Sequence, residues 1–390
     1  MSTHSPSLAL NCHSELRNCH SERSEESPYS LLLLLVFLVL TPMLKAAPPA
    51  HGVSFTVNAA AHRVDIAIDG TPFTSYLWDT NQRKPVLYPL IAPDGTTVTR
   101  GYPFATRPGE RVDHPHHAGL WFNYANVNNI DYWNNSDAIK PGARAKYGSI
   151  DHDRIVSARS GADSGELVAE STWYPSSDLP TVGSNQAPPI LRQTTRYVFS
   201  RLTIDGKPAR AIDMTVTLTA LQTSVFHDDK DGMLGIRVAH FLESPTEKGG
   251  VFLDANGVPT KVAAADTAGA TGVYRTSEGI AGDAVWSTRG RWCLLSGDTP
   301  AAGSKPGHPE TIAIFDHTGN PGYPTYWHAR GYGLFAANPL GAHIFDPKAP
   351  PMNFTIDKGA SATFRYRVLI LSSAVTDAEM DRQAGAFNSK

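Results

Sequence analysis

The chain has 390 residues, of which 41% are hydrophobic and 18% are charged, with a formal net charge of −3 at pH 7. This composition is that of a globular protein, and the length allows either one large core or two ordinary ones. The small net charge comes without a basic stripe, which argues against nucleic acid as a partner. The 32 Gly and 29 Pro favour many short strands joined by turns.

The N-terminal region carries signals of processing rather than of fold. Residues 1–28 contain the motif Asn-Cys-His-Ser-Glu at 11–15 and again at 18–22, without apolar periodicity. We interpret this part as a spurious or disordered extension that results from a misplaced start codon. The apolar run 31–40 is too short to span a bilayer and is typical of a signal peptide, which we predict at 29–47. An uncleaved membrane anchor is the alternative.

Export sets expectations for the mature protein. It is expected in the periplasm or outside the cell, without a stable membrane span once the signal peptide is cleaved. Its only cysteine would be Cys293, so no intramolecular disulfide can form and stability must come from the core. This cysteine content favours a Gram-negative periplasm over a small secreted scaffold.

Alternation of apolar and polar residues with a period of two recurs along the rest of the chain. The clearest example is 212–220, where apolar residues alternate with Asp and Thr. The Asp205-Gly206 pair has the chemistry of a tight turn and predicts a hairpin between strands at 190–204 and 209–221. Further strands are predicted at 63–69, 73–78, 119–124, 165–174, 234–243, 284–295, 310–316, 331–337 and 363–370.

Only one segment has the pattern of a helix. Residues 375–387 are predicted to be helical, with Thr376 as the N-cap before two acidic residues. The Gly/Pro/Ser-rich stretches 175–189 and 297–309 are predicted to be surface loops, because strands continue on both sides of them. The sequence therefore predicts an all-β fold, a large antiparallel β-sandwich with a short C-terminal helix, in a single domain over residues 51–390. Two stacked sandwiches are the alternative.

Three histidines follow an aspartate in the segment Asp113-His114-Pro115-His116-His117, which concentrates groups that titrate near neutral pH. Because proline has a fixed φ, we predict an extended run with His114 and His116 on one face and His117 on the other. The functional interpretation is an acid/base site in which Asp113 orients one ring. Alternatively, His114 and His116 bind a divalent metal ion with a third ligand from elsewhere. The structural alternative is a hydrogen-bonded turn that fixes the next strand.

A second candidate lies at 326–330, where Trp327, His328 and Arg330 follow one another closely. Aromatic faces stack on sugar rings, and arginine offers a planar fork to carboxylates. We predict that Trp327 and Arg330 bind substrate and that His328 exchanges a proton with a sugar oxygen or carbon. The alternative is an aromatic strand with a core histidine.

Acidic residues surround Lys230 and precede Arg237. Their spacing does not fit an EF-hand, and a solvated turn is the simplest interpretation. At a strand entrance, however, Lys230, Asp231 and Arg237 are predicted to bind an anionic or polyhydroxylated ligand. Asp131 and Trp133 are predicted to add polar and stacking contacts beside the histidines.

Several sequence blocks together resemble a bacterial family of unknown function that often carries the automatic label "methane oxygenase PmoA". The resemblance implies a fold related to the galactose-mutarotase β-supersandwich and a link with sugar metabolism. A membrane subunit of methane oxidation needs several spans of about 20 apolar residues, and this chain has one short apolar run, so we do not adopt the label. Asn129 and Gly331 depart from the family pattern, which has Gly and an acidic residue there. The blocks are 83–89 (Arg-Lys-Pro-Val-Leu-Tyr-Pro), 114–121 (His-Pro-His-His-Ala-Gly-Leu-Trp), 127–133 (Val-Asn-Asn-Ile-Asp-Tyr-Trp), 229–238 and 327–339.

The leading hypothesis is an exported carbohydrate-active enzyme that uses His117 and His328 as general acid and base, while His114 and His116 shape the site. The reaction is left open among anomeric epimerisation, glycosidic cleavage and β-elimination. The expected partner is a small-molecule or oligosaccharide substrate, and no cofactor is required. The alternatives are a non-catalytic carbohydrate-binding protein and a metalloenzyme with His114 and His116 as ligands. No nucleotide-binding glycine fingerprint, phosphate loop or Gly-x-Ser-x-Gly elbow occurs in the sequence.

Overall fold

The computed structural model describes residues 51–175, 187–245, 248–264 and 269–389. The predicted extension at 1–28 and the predicted signal peptide at 29–47 lie outside these residues, as does most of the predicted loop at 175–189. The described residues belong to the compact unit Pro48–Lys390. In the described part of the chain, no helix has both the length and the apolar character needed to cross a membrane.

Strands are the main secondary structure and are numbered here in chain order. The first ten are β1 (Val53–Asn58), β2 (Arg63–Ile68), β3 (Thr71–Leu77), β4 (Val86–Leu87), β5 (Leu120–Tyr124), β6 (Ser149–Arg159), β7 (Ser164–Tyr174), β8 (Leu191–Ile204), β9 (Lys207–Ala220) and β10 (Ser224–Phe226). The next are β11 (Gly232–Arg237), β12 (Lys248–Leu253), β13 (Pro259–Ala264), β14 (Val273–Thr276), β15 (Trp292–Asp298), β16 (Pro309–Asp316), β17 (Tyr326–Arg330), β18 (Leu334–Asn338), β19 (Phe354–Ile356) and β20 (Ser361–Leu371). The helices are α1 (Ala342–Phe345) and α2 (Asp377–Asn388), with short 3-10 turns at Ala59–Ala61, Pro141–Lys146, His240–Leu242 and Gly282–Val285.

The strands form two large antiparallel sheets. Sheet I has the order β1-β2-β3-β4-β5-β11-β18-β17, and sheet II has the order β14-β15-β16-β20-β9-β8-β7-β6. Two further strand pairs, β10 with β19 and β12 with β13, lie outside these sheets. Most neighbours in each sheet follow one another in the chain, as expected for hairpins and meanders.

The predicted hairpin in sheet II is confirmed. Strands β8 and β9 pair along their whole length, and the register ends at Ile204 opposite Lys207. The two turn residues, Asp205 and Gly206, have φ angles of 48° and 74°. Two positive φ angles are what a two-residue turn matched to the strand twist requires.

The main core lies between the two sheets, which pack face to face. The rings of Phe122 on β5 and Phe364 on β20 are 5.8 Å apart, and those of Phe73 on β3 and Phe199 on β8 are 6.0 Å apart. Alternate residues of each strand point into this layer, as their spacing in the sequence predicts. The predicted large antiparallel β-sandwich is therefore confirmed.

The C-terminal helix α2 covers the outer face of sheet II. Its predicted N-cap is confirmed, because the Thr376 side chain accepts a hydrogen bond from the Glu379 backbone N–H at 3.2 Å. The helix buries its apolar residues against the strands in a second cluster. That cluster comprises Ile204, Ala209, Ala211, Trp292, Leu294, Ala313, Phe315, Leu369, Leu371, Met380, Ala384 and Phe387.

Three strand predictions are wrong at one end. Residues 284–291 do not form a strand, because Val285 closes a 3-10 turn and Ser287 has a φ of 68°. The strand predicted at 234–243 ends at Arg237, and a 3-10 turn follows at His240–Leu242. The strand predicted at 331–337 begins only at 334, after a tight turn. Val285, Phe241 and Leu242 in two of these turns are buried, so hydrophobicity alone could not separate turn from strand there.

Candidate functional site

The candidate site lies on the face of sheet I that points away from the sandwich core. Along β17, Trp327 and Ala329 join the main core, while His328 lies on the opposite face. On β11, a Cβ atom at Gly235 would lie 2.6 Å from the Trp121 ring and 2.9 Å from the Trp133 ring. Only glycine therefore allows these two indoles to lie directly on the strand.

The histidine segment forms a tight turn instead of the predicted extended run. The His117 backbone N–H donates to the His114 carbonyl at 2.9 Å, and His114 has a φ of 43°. Pro115 occupies the second turn position, where its fixed φ is favourable. The rings of His114 and His117 stack at 4.9 Å, and the His116 ring lies 4.4 Å from His117. The three imidazoles thus form one cluster, and the prediction of opposite faces is wrong.

Arg100, which the sequence analysis did not identify, stabilises this turn through hydrogen bonds to its backbone. Its side chain is buried and donates to the carbonyl oxygens of His114 at 3.0 Å and His117 at 2.9 Å. It also donates to the Asp113 carboxylate at 2.7 Å, as Arg237 does at 2.6 Å. Burial raises the pKa of Asp113, but the hydrogen bond with His114 and the two guanidinium charges outweigh it, so the pKa is below its usual value. Arg237 therefore supports the histidines, and no local motif marks Arg100 in the sequence.

A second missed residue is Lys84, which appeared above only within a resembling block. Its buried amino group donates to the His116 carbonyl at 2.9 Å and lies 5.6 Å from the Trp121 ring centre. Burial lowers the pKa of Lys84 to about 7. The turn is thus fixed by two buried basic side chains, Arg100 and Lys84, that bind its backbone rather than its imidazoles.

Both ring nitrogens of His117 face hydrogen-bond donors. The Trp133 indole N–H donates to Nε2 at 3.2 Å, and an Arg237 amino group lies 3.4 Å from Nδ1. A neutral imidazole has one acceptor nitrogen, and a protonated one has none. Burial, followed by the charges of His116 and Arg237, lowers the pKa of His117 well below its usual value. His117 is therefore a neutral ring that anchors Trp133.

His116 is also buried, and burial followed by the charge of Lys84 lowers its pKa well below the usual value. In the described part of the chain its Nε2 has no hydrogen-bond partner. It lies beside the other two imidazoles but does not line the hollow described below. Its position fits the predicted role of shaping the site.

One ring nitrogen of His328 makes a hydrogen bond, and the other has no hydrogen-bond partner among the described residues. Its Nδ1 lies 2.9 Å from the Lys230 carbonyl, which can only accept, so Nδ1 carries the proton. The Asp231 carboxylate lies 3.4 Å from the same nitrogen. Among the described residues, nothing bonds to Nε2. Burial lowers the pKa of His328 to about 4, although Asp231 acts in the opposite direction. At neutral pH this ring is neutral, with a lone pair on Nε2.

His114, His117 and His328 line a polar hollow of about 280 Å³. A larger hollow of about 470 Å³ shares two of its lining residues and adds Trp286 and Asp113. A third hollow shares three more and adds Asp131. Shared walls make the three hollows neighbours along one trough. The smallest is lined by His114, His117, Trp133, Asn134, Lys230, Asp231, His328, Arg330 and Tyr332.

Arg330 connects the small hollow with the larger one. Its guanidinium carbon lies 4.0 Å from the centre of the Trp286 ring, and its Nε has no hydrogen-bond partner among the described residues. No ion pair of Arg330 occurs in the described part of the chain either. Tyr332 stacks on His114 at 5.1 Å with the two rings parallel within 3°. The trough therefore combines a positive group without a carboxylate partner and flat aromatic faces.

Most of the predicted residues line the small hollow, but four do not: His116, Asp131, Arg237 and Trp327. Arg237, predicted to bind substrate, is fully buried, pairs with Asp113 and lines none of the three hollows. Trp327 is fully buried in the main core on the opposite face of β17, because strand alternation turns it away from His328. Asp131 lies in the neighbouring hollow, and its carboxylate accepts hydrogen bonds from the backbone N–H groups of Trp133 and Asn134, each at 2.9 Å. Asp131 thus holds the loop that positions Trp133.

The sequence analysis also missed the aromatic walls formed by Trp286 and Tyr332. Trp286 lies in the segment 284–291, which was wrongly predicted to be a strand. Tyr332 follows Arg330 in a resembling block and could have been named from it. Both positions are turn residues whose spatial neighbours come from other strands.

A metal site at the histidine turn is not supported. In the described residues, neither His114 nor His116 belongs to a group of three potential ligands close enough to share an ion. The described group that meets this condition is Asp94, His308 and Glu310, none of which lines the trough. Among the described residues, His114 and His116 therefore have no third ligand close enough to complete a site, and metal binding by these two histidines stays a prediction.

The chain belongs to a family of unknown function, DUF6807, whose model matches residues 63–385. The description of this family does not carry the methane oxygenase label. No curated protein matches the sequence. Among solved structures, the chain is similar to galactose 1-epimerase from Lactobacillus acidophilus NCFM, with 10% identity, a TM-score of 0.35, and coverage of 83% of this chain and 99% of that one.

Two further solved structures show a comparable likeness. A galactose mutarotase-like protein from Clostridium acetobutylicum has 10% identity and a TM-score of 0.37, with coverage of 82% of this chain and 98% of that one. An alpha-galactosidase from Lactobacillus brevis has 9% identity and a TM-score of 0.33, with coverage of 87% and 42%. At these scores the likeness is one of general architecture, and the functional conclusion below is drawn from the site itself.

Proposed function

We propose that the protein is an exported carbohydrate-active enzyme that transfers protons at a sugar bound in the trough, with His328 as general base. The observation that carries this proposal is the state of His328. Its Nδ1 proton is held by the Lys230 carbonyl, and the ring lines a polar hollow, where its buried Nε2 has no partner among the described residues. A fixed tautomer with a free lone pair is what a general base requires.

The walls of the trough suit a sugar. Tyr332 and Trp286, which are both half-buried, offer aromatic surface to the apolar side of a pyranose ring. Lys230, Asp231 and Arg330 offer donors and acceptors to hydroxyl groups, and Arg330 has a free charge for a carboxylate. This mixture favours a polyhydroxylated ligand over an apolar one.

We assign the partner acid to His114 rather than to His117. Both nitrogens of His117 face donors, which leaves it no free position for proton exchange. His114 lines the same hollow, its side chain is 41% exposed, and its Nδ1 lies 3.4 Å from the Asp113 carboxylate. That carboxylate orients the His114 ring toward the hollow, whereas His117 and His116 act as positioning residues. Epimerisation, glycosidic cleavage and β-elimination each need such an acid and base pair.

The activity test compares the wild-type protein with His328→Gln, which keeps a polar side chain of similar size. The substrates are galactose, glucose and oligosaccharides that contain uronic acids. The readouts are polarimetry, the release of reducing ends and the ultraviolet absorbance of unsaturated products. We expect His328→Gln to lower turnover by at least about 100-fold, while the matched variant His152→Gln, whose ring contacts Tyr76 away from the trough, keeps full activity. Unchanged turnover in His328→Gln would refute the assignment.

A second candidate function is carbohydrate binding without catalysis. It is favoured by one observation, that three of the four histidines are buried and have lowered pKa values, as structural histidines often do. Calorimetry with the same sugars separates the two functions. Sugar binding by a wild-type protein that shows no turnover in any of the three assays supports the binding protein.

Export is part of the proposal and has its own test. Its support is the apolar run 31–40, which has the length of a signal-peptide core. The full chain is expressed in a Gram-negative host, and the protein recovered from the periplasm is sequenced from its N-terminus. We expect a mature protein that begins near residue 48. A cytoplasmic product that keeps Met1 would contradict both the signal peptide at 29–47 and the misplaced start.

A further inference from the structure

A second cluster of polar side chains lies apart from the trough, where the two sheets meet. Asp94 lies in the turn 91–97, whose first residue donates its backbone N–H to Phe73 of β3 in sheet I at 3.0 Å. Glu310 lies on β16 of sheet II, and His308 directly precedes that strand. We refer to Asp94, His308 and Glu310 as the clasp cluster.

The three side chains converge on a small volume. His308 Nε2 lies 2.6 Å from Asp94 Oδ2 and 3.3 Å from Glu310 Oε1. One ligand atom from each residue lies within 4.8 Å of the other two. Two ligands that each lie about 2 Å from a zinc ion are separated by roughly 3–4 Å. A small opening of the His308–Asp94 contact would therefore admit an ion.

The burial of the Glu310 carboxyl group is the observation that points to a ligand. The Glu310 side chain has no solvent exposure, and neither carboxylate oxygen has a well-aligned hydrogen-bond donor among the described residues, although His308, Asp94 and Ser372 lie close to it. Burial, followed by the charge of Asp94, raises the pKa of Glu310 to about 8. A buried carboxylate is costly unless it is hydrogen-bonded, paired or bound to a metal ion. His308, its neighbour in the cluster, also faces Asp94, so a single imidazole serves two carboxylates.

The surrounding residues already orient the other two ligands. The Thr299 hydroxyl lies 3.1 Å from His308 Nδ1, which leaves Nε2 directed at the acids. The Asp94 carboxylate accepts hydrogen bonds from the Thr96 backbone N–H at 2.9 Å and the Thr96 hydroxyl at 3.0 Å. Such outer contacts commonly fix the ring and carboxylates of metal sites.

We propose that Asp94, His308 and Glu310 bind one divalent transition-metal ion, with Zn²⁺ as the best match, which ties the turn 91–97 to β16. One imidazole and two carboxylates form the nitrogen and oxygen ligand set of three-ligand zinc sites, in which water completes the coordination. Calcium requires six to eight oxygen ligands, and magnesium prefers oxygen as well. The partial exposure of Asp94 (32%) and His308 (47%) leaves an open side for water. The ion neutralises the two carboxylates and joins the sheets at their margin.

The test uses the full chain after treatment with a chelator. Zn²⁺ alone is titrated by calorimetry, the bound metal is counted by elemental analysis, and Tm is measured with and without the ion. We expect one equivalent of Zn²⁺ and a higher Tm, with no rise for Mg²⁺ at the same concentration. Asp94→Asn and His308→Ala should each weaken Zn²⁺ binding by at least about tenfold and abolish the rise in Tm.

Three further variants keep the proposal falsifiable. Glu310→Gln replaces a carboxylate ligand by a neutral amide of the same size and should leave a folded protein whose Tm no longer responds to Zn²⁺. Thr299→Val keeps all three ligands and should weaken binding by about tenfold through the orientation of His308. His62→Ala is the matched control, because it removes an exposed histidine that pairs with a single carboxylate at 3.5 Å, and it should bind Zn²⁺ as the wild type does. Two results would overturn the site. One is the absence of Zn²⁺ binding in the wild type, and the other is a Zn²⁺ affinity in Asp94→Asn and His308→Ala that equals that of the wild type.

Discussion

The outer faces of the two sheets differ in what covers them. An apolar helix face covers sheet II, and loops with buried charged groups cover sheet I. On sheet II, α2 lays Met380, Ala384 and Phe387 over apolar strand residues such as Leu294 and Leu369. Its Trp292 has a satisfied indole N–H, which donates to Asp381 at 2.7 Å. This face is closed by hydrophobic packing and has the properties of a second core.

On sheet I, loops bring charged groups over the central strands. Arg100 and Arg237 are buried there, and the Nε2 atoms of His116 and His328 lack partners among the described residues. Buried polar groups without partners destabilise a fold, so they persist where the rest of the structure is stable enough to hold them. The α2 face is thus closed by apolar packing, whereas the outer face of sheet I combines an apolar cluster around Trp121 and Trp133 with buried polar groups that lack partners among the described residues.

The largest effect is expected when the support of the histidine turn is removed. Arg100→Met deletes the donors that bond to Asp113, His114 and His117, and leaves the buried carbonyl groups of His114 and His117 unsatisfied, while Arg237 still pairs with Asp113. The free energy of unfolding in urea should fall by about 3–5 kcal/mol, and sugar binding in the trough should be lost. The control is Arg196→Met, which removes a half-exposed arginine paired with Glu166 and should change stability little. A stable Arg100→Met protein that still binds sugar would contradict the role of Arg100 in stabilising the histidine turn.

A cavity created by substitution in the α2 face of sheet II should lower stability without changing sugar binding. Phe387 is 5% exposed and packs into the α2 cluster. Phe387→Ala should lower the free energy of unfolding by about 3 kcal/mol through lost packing. The affinity of the folded protein for sugar should not change, because the helix packs on sheet II and the trough lies on sheet I. A matching loss of affinity, measured by calorimetry below the melting temperature, would show that the two faces are coupled.

The pH dependence of stability should also come from the face of sheet I. The pKa of His328 falls from about 6.5 to about 4 on folding. Between these values the unfolded chain binds a proton that the folded chain does not, so stability decreases as the pH falls through this range. His116 and His117 act with the same sign.

Urea unfolding of the wild type and His328→Gln at about pH 7 and about pH 4.5 measures this contribution. The wild type should lose roughly 2–3 kcal/mol more than the variant over this interval. The exposed-residue control His62→Gln should follow the wild type. An identical pH dependence in wild type and His328→Gln would mean that the imidazole is not buried in its neutral form.

Much of the α2 face and of the sandwich was predictable from the sequence, because its causes are local. The alternation in 212–220, the turn at Asp205-Gly206 and the cap at Thr376 each depend on residues that are neighbours in the chain. Strand ends were predicted less well where buried turns, such as the one at 282–285, have the hydrophobicity of strands.

The site was predictable in its histidines but not in its geometry. Proline in the histidine segment was taken to favour an extended run, although it favours the second position of a turn equally well. The contacts that decide the chemistry, Arg100 with His117 and Lys230 with His328, join residues that are 17 and 98 positions apart in the chain. Such pairs depend on how strands are ordered in the sheet, which local patterns do not determine.

The smallest expected effect compares one tryptophan on each face. Trp133 and Trp292 are both about 1% exposed, and each donates its indole N–H to a side chain, His117 Nε2 at 3.2 Å and Asp381 at 2.7 Å. Trp133→Phe and Trp292→Phe should each lower the free energy of unfolding by about 1 kcal/mol. Only Trp133→Phe should raise the pKa of His117, because the lost hydrogen bond stabilised the neutral ring. NMR titration of the imidazole signals measures this difference directly. An unchanged His117 titration in Trp133→Phe would mean that burial alone keeps the ring neutral, and that the indole positions the loop without controlling the charge of the site.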